Sequence, residues 1–234
     1  EEEILSVVAQ FGRAARRARA AGFDGVQVHG AHGYLASQFL GYGANRRDDR
    51  WGGDPERRAS FLLAVVAEVR RQVGDGYPVW VKLGVAGAEA FGPSLAEGAR
   101  AAAGLRDAGV DAIEVSNAMG APEDLDGAVE APFLPLALAV RAAVGDDYPL
   151  ALVNRIRTRA TMEAILQSGA VQMISLCRPL IAEPELPGKL ARGEADSAAC
   201  LSCGRCWPEV PGEGVRCHNA ALARRPAGHN SDRR

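Results

Sequence analysis

The sequence predicts an α/β chain in which helices and short apolar strands alternate around a parallel sheet. Three observations lead there: five apolar runs of strand length, five amphipathic or alanine-rich segments of helix length, and a glycine or capping residue at most junctions. The chain has 234 residues, 47% hydrophobic and 24% charged, with 27 basic against 29 acidic side chains and a net charge of −2. This is one domain's worth of polypeptide. A near-neutral balance supplies no footprint for nucleic acid, and no apolar run reaches the roughly 18 residues a membrane-crossing helix needs, so neither partner is expected.

Residues 4–21 read as a helix that stops at Gly22 and feeds the strand Val26 to Val28, which ends at His29-Gly30. A second helix should start at Asp54-Pro55, where aspartate caps the free amides and proline suits the first turn, and run to Gly74. Its strand is Pro78 to Leu83. The third unit has Ser94 as cap, a helix to Gly109 and the strand Ala112 to Val115, followed by Ser116-Asn117. The fourth runs from about Pro132 to Val144 and enters Leu150 to Val153; the last has a helix from Thr158 to Ser168 and the strand Val171 to Leu176.

Five such strands, read as apolar on both faces, suit a sheet covered by helices. A closed (β/α)8 barrel needs eight strands, so three units would have to precede residue 1, and a chain opening Glu1-Glu2-Glu3 without methionine reads as a piece of a longer one. An open doubly wound sheet needs no missing units but lacks a glycine-rich phosphate loop after its first strand. Residues 1–195 are expected to form this α/β part, 196–222 a cysteine-rich loop, and 223–234 a disordered arginine-rich tail.

The stretch His29-Gly30-Ala31-His32-Gly33-Tyr34 falls where a strand gives way to a loop, the place where parallel α/β folds build sites. Both imidazoles reach one pocket only if the chain turns after His29, which Gly30 and Gly33 permit. Two imidazole donors and a phenol then grip a carbonyl and deliver a proton; the alternative is a hydrogen-bonded strand-end histidine with Tyr34 packed on the helix beginning near Ala36. Zinc on the two histidines lacks a nearby third ligand. Lysine occurs only at Lys82 and Lys189, and Lys82 sits at the end of the apolar strand VWVKL. Cys177, inside an apolar stretch, reads as a small buried thiol. Cys200, Cys203, Cys206 and Cys217 give Cys-x2-Cys-x2-Cys-x10-Cys, a ligand pattern for metal in a reducing compartment. Even spacing of the first three favours an iron-sulfur cluster over zinc, whose ligands usually come as two separated pairs.

The run AGFDGVQVHGAHGYLASQFLGYGANRRDDRWGGDPERRASFLLAVVAEVR resembles the old yellow enzyme family of FMN-dependent oxidoreductases, and matching element order continues to about Glu185. The resemblance implies a TIM (β/α)8 barrel with strands four to eight present and the first three absent. It implies FMN as cofactor, NAD(P)H as electron donor and a small-molecule substrate with an activated carbon-carbon double bond. His29 and His32 match the pair that hydrogen-bonds the substrate carbonyl, and Tyr34 matches the proton donor. Lys82 matches the cation beside the flavin's pyrimidine edge, and Arg178, in Arg178-Pro179-Leu180, the arginine of the phosphate-binding turn. Where the family usually shows Gly-Gly, this chain has Asn154-Arg155, whose side chains either crowd the phosphate or supply new donors. The four cysteines resemble the 4Fe-4S segment of the trimethylamine dehydrogenase and 2,4-dienoyl-CoA reductase branch. Two other readings stand beside this: a noncatalytic partial barrel whose unpaired Val26 to Val28 edge pairs with another chain, and a zinc-stabilised binding module. Absent targeting signals and reduced thiols suit a cytoplasmic protein, and a homo-oligomer is compatible with all of this.

Overall fold

The structure, a computed structural model, describes residues 1–88, 91–120, 129–207, 212 and 214–219. It divides into two compact units: Glu1–Asn154 with Ile165–Ser175, and Arg155–Ala164 with Leu176–Arg234. The expected tail at 223–234 lies outside the described residues.

The first unit contains the helices α1 (Glu2–Ala20), α2 (Leu35–Leu40), α3 (Pro55–Val73), α4 (Leu95–Asp107) and α5 (Leu134–Val144); α6 (Arg159–Gln167) crosses between the units. Their starts are written into the sequence. Asp54 accepts a hydrogen bond from the Arg57 amide at 2.8 Å ahead of Pro55, and Ser94 with Glu97 forms a reciprocal capping box on α4. Each cap is worth about 1 kcal/mol because it satisfies amides that have no partner within the helix. The buried face of α3 runs through Phe61, Leu62, Val65, Val66 and Val69, the spacing of one helical stripe. Phe61 stacks on Phe39 of α2 with ring centroids 4.2 Å apart. On α1, Gly12 lets the helix approach α3 closely, since a Cβ there would stand 2.6 Å from Glu68 Cγ.

Five strands, β1 (Val26–Gly30), β2 (Val79–Ala86), β3 (Ala112–Asn117), β4 (Leu150–Leu152) and β5 (Met173–Ile174), form one parallel sheet in the order β1-β2-β3-β4-β5. This order decides between the two architectures. A doubly wound sheet reverses direction to place helices on both faces, whereas uninterrupted sequential order with right-handed crossovers puts every helix on one face, as in a (β/α)8 barrel.

Strands β1, β2 and β3 are not apolar on both faces, which corrects the expectation from the sequence; β4, Leu150-Ala151-Leu152, is. Val28, Val79, Val81 and Leu83 alternate toward the helices and are buried; a Cβ on Gly30 would stand 3.2 Å from Leu62 of α3. The residues between them, Gln27, His29, Trp80, Lys82, Glu114 and Ser116, take the opposite face, because side chains on a strand alternate. In addition, β2 continues past Leu83 to Ala86, so Lys82 stands in mid-strand and not at the strand's end. Short β5 stops at Ile174.

In the second unit, α7 (Arg178–Ala182) and α8 (Leu186–Ala191) follow one another, and an antiparallel bridge joins Thr158 to Ser197. Cys177 is the N-cap of α7 and is exposed, correcting the expectation of a buried thiol: the apolar run is strand only to Ile174, and the chain has left it by residue 177. Glu183 organises this unit, accepting from the Ala199 amide at 2.7 Å and pairing with Lys189 at 3.3 Å. Among the described residues, no helix is long and apolar enough to cross a membrane.

Candidate functional site

At the end of β1 the chain turns through His32 and Gly33, both in the left-handed region with φ of 61° and 74°. The turn is where the sequence placed it, but the residues differ. Gly30 stays in the strand, paired with Leu83, and His32 itself bears the unfavourable backbone angle. Its amide is held by the Asn117 carbonyl at 3.0 Å and its ring Nε2 by Ser116 Oγ at 2.8 Å. The turn brings three rings together: His29 lies 5.1 Å from His32 and 5.0 Å from Tyr34, centroid to centroid. Tyr34 is largely exposed, at 63%. His29 Nδ1 is buried and has no hydrogen-bond partner among the described residues. A buried polar atom left unpaired is costly, so this nitrogen is poised for a ligand.

Lys82 lies opposite His29 in the β1–β2 ladder and opposite Glu114 in the β2–β3 ladder. Its ammonium meets Glu114 Oε1 at 2.5 Å, and Gln27 Nε2 donates to Glu114 Oε2 at 2.9 Å. Desolvation, reinforced by the Lys82 charge, holds both imidazoles below their ordinary pKa, against a weaker upward pull from Glu114. Neutral imidazoles near pH 7 can each donate one N–H without carrying charge into the site.

Arg178 and the cysteines belong to the second unit. Arg178 opens α7 and donates from Nη1 to the Ser202 carbonyl at 3.1 Å. Asn154 and Arg155 both have positive φ, 97° and 52°. Such a turn suits glycine, so two side-chain-bearing residues hold it under backbone strain. Cys200 and Cys206 are buried, Cys217 is half-buried and Cys203 is exposed. The thiol of Cys206 is pushed up by burial first, and then by the charges that Cys200, Cys217 and Cys203 would carry as thiolates. Among the described residues, however, no group of three or more histidine, cysteine or acidic side chains is arranged to hold a metal ion. The donor set suits a thiolate-bound metal; the arrangement does not close around one.

Residues 1–197 match the family described as NADH:flavin oxidoreductase / NADH oxidase. The chain belongs to that family. It is 39% identical over 210 residues to a metal reductase of Desulforamulus reducens, covering 87% of this chain and 31% of that protein. It is 36% identical over 197 residues to the NADH-dependent flavin oxidoreductase iliE of Hypocrea jecorina, covering 79% and 49%. Among solved structures, it resembles a 2-naphthoyl-CoA reductase complex with TM-score 0.74 and 28% identity, over 87% of this chain and 32% of that one. The old yellow enzyme homologue of Zymomonas mobilis matches with TM-score 0.69 and 27% identity, over 86% and 55%. The chain thus spans about a third to a half of the length of these family members. The likeness to old yellow enzyme structures identifies the five βα units as part of a TIM barrel.

Sequence reasoning missed three residues on the sheet face that carries His29 and Lys82: Gln27, Glu114 and Ser116. The signal for Glu114 was present, as the one charge inside the strand Ala112 to Val115, because an acidic residue in a central strand is rarely buried without a partner. For Gln27 and Ser116 no local signal existed; only the register of three strands brings them to their partners.

Proposed function

We propose that the chain forms part of an FMN-dependent oxidoreductase that transfers hydride from NAD(P)H, by way of the flavin, to a small substrate with an activated carbon-carbon double bond. The observation that carries this is the unpaired, buried His29 Nδ1 on the sheet face shared with Lys82, within reach of the Tyr34 ring. FMN, when bound, supplies hydride to the β carbon. His29 and His32 donate to the substrate's carbonyl oxygen, where negative charge accumulates. Tyr34 gives its hydroxyl proton to the α carbon, so that one hydride and one proton saturate the double bond. Lys82 places positive charge on the face that would meet the flavin's pyrimidine edge, stabilising the reduced ring.

Arg178 would hold the FMN phosphate, a bidentate task that suits guanidinium; Asn154 and Arg155 stand where the family shows Gly-Gly and would offer donors of their own to the cofactor. Cys200, Cys203, Cys206 and Cys217 would be the ligand set of a 4Fe-4S cluster, a reading supported by their spacing alone.

An ultraviolet-visible spectrum of anaerobically purified protein, with iron, sulfide and zinc assayed on the same sample, tests this. Flavin bands with stoichiometric iron and sulfide are expected. Colourless protein overturns the flavin reading, and zinc without sulfide assigns the cysteines to a structural metal.

A further inference from the structure

The proposed chemistry uses Lys82 but leaves Glu114 unexplained. This carboxylate is 7% exposed, in the middle of β3, between Ile113 and Val115, which are fully buried. A charge there is expensive to desolvate, and an apolar residue of similar size would serve the sheet at lower cost. Both of its oxygens are committed: Oε1 to Lys82 at 2.5 Å and Oε2 to Gln27 at 2.9 Å. Lys82 has four rotatable carbons and no fixed donor geometry, so without an anchor its ammonium would sample many positions. The anchor stands directly across the ladder from it, and His29 stands directly across on the other side.

We infer that Glu114 is a positioning residue: its ion pair with Lys82 fixes the ammonium in the row His29–Lys82–Glu114 and offsets part of its charge. The pair thereby sets how strongly the site favours an electron-rich flavin. This rests on the proposed flavin reading. Gln27 completes the device by occupying the second oxygen, which keeps the carboxylate from rotating away. The electrostatics of the neighbouring imidazoles agree, since Lys82 and Glu114 pull them in opposite directions. Among the described residues, the charged and titratable groups on or against this face include Lys82, Glu114, His29, His32 and Tyr34.

The test is Glu114→Gln in the full chain, with two readouts. In flavin-free protein, the imidazole titrations of His29 and His32 followed by NMR should move further down, with acid dissociation constants roughly threefold larger. In flavin-loaded protein, the midpoint reduction potential should become more positive, because Lys82 is no longer offset. Adding Lys82→Met should shrink the response to Glu114→Gln to the direct pull of the carboxylate on the imidazoles. Glu114→Asp, which keeps the charge but retreats from Lys82 by one methylene, should shift the potential in the same direction by less, and decides the matter alone if the glutamine variant does not fold. Unchanged titrations and potential in a folded variant, or the same response in the Lys82→Met background, would overturn the inference. If the unmodified chain binds no flavin, the proposed function fails, while the imidazole titrations still decide whether Glu114 acts through Lys82.

Discussion

His32 and Ser116 meet across the ends of β1 and β3, Nε2 to Oγ at 2.8 Å, although 84 residues separate them in the chain. Ser116 is almost fully buried, so this contact both orients the imidazole and satisfies a hydroxyl that has no access to water. Ser116→Ala should cost about 1 kcal/mol of stability. In flavin-loaded protein it should also weaken binding of phenolic ligands, whose oxygen mimics the charge built up in the reaction, by roughly three- to tenfold. Ligand titration monitored by the flavin spectrum checks this, and unchanged affinity would remove Ser116 from the clamp.

Tyr34→Phe keeps the ring against His29 and removes only the hydroxyl. Stopped-flow measurement should show flavin reduction by NAD(P)H nearly unchanged and reoxidation by an enone slowed by roughly 10²- to 10⁴-fold, the usual scale for losing a general acid. Equal rates in both half-reactions would dismiss the tyrosine as proton donor.

The two imidazoles also make stability depend on pH. Both titrate below their ordinary value of 6.5 in the folded chain, so the unfolded state binds more protons in that window. Their contribution is fully present above the unfolded value and is lost as pH falls from there through the folded values. Urea unfolding at about pH 7.5 and about pH 5.5 should show the lower midpoint at the lower pH. The double variant His29→Gln with His32→Gln should flatten the slope across that interval; a slope identical to the parent's would assign it to other groups.

Gly98 of α4 has a structural demand on it that no functional reading requires. A Cβ at that position would lie 1.8 Å from the Val85 carbonyl oxygen of β2, and backbone cannot swing aside as a side chain can. Gly98→Ala should therefore destabilise by at least about 1 to 3 kcal/mol despite alanine's better helix propensity. Thermal unfolding by circular dichroism measures it; a neutral or stabilising result would show that helix and strand can separate freely.

Arg58 is 3% exposed, pairs with Glu97 at 2.6 Å and donates to the Leu40 carbonyl at 3.0 Å. It ties α2, α3 and α4 at one point. Arg58→Ala should cost on the order of 3 to 5 kcal/mol, since it strands a carboxylate and buried carbonyls. Chemical denaturation gives the value, and a loss within about 0.5 kcal/mol would mean that water replaces the guanidinium.

Much of the fold was legible in the chain because its determinants are local. Caps at Asp54 and Ser94, glycines after the helices and apolar runs of strand length each act within a few residues, and the five strands and five long helices stand near where those signals put them. The histidine-tyrosine cluster was legible for the same reason, since the whole of it lies within six residues of one turn. The two-faced character of the sheet was less legible: in β2, large residues such as Trp80 and Val81 look alike in composition, and only the helices beneath decide which of them is core.

What the sequence determined by itself, then, was the order of elements, the turn that gathers His29, His32 and Tyr34, and the cysteine spacing. What only the tertiary structure decided was which face each strand residue takes, that Lys82 stands in mid-strand between His29 and Glu114, that Ser116 holds His32, and that Cys177 lies exposed. The reason is physical: a cap or a turn is closed by neighbours in sequence, whereas an ion pair across a parallel sheet is closed by register between strands tens of residues apart.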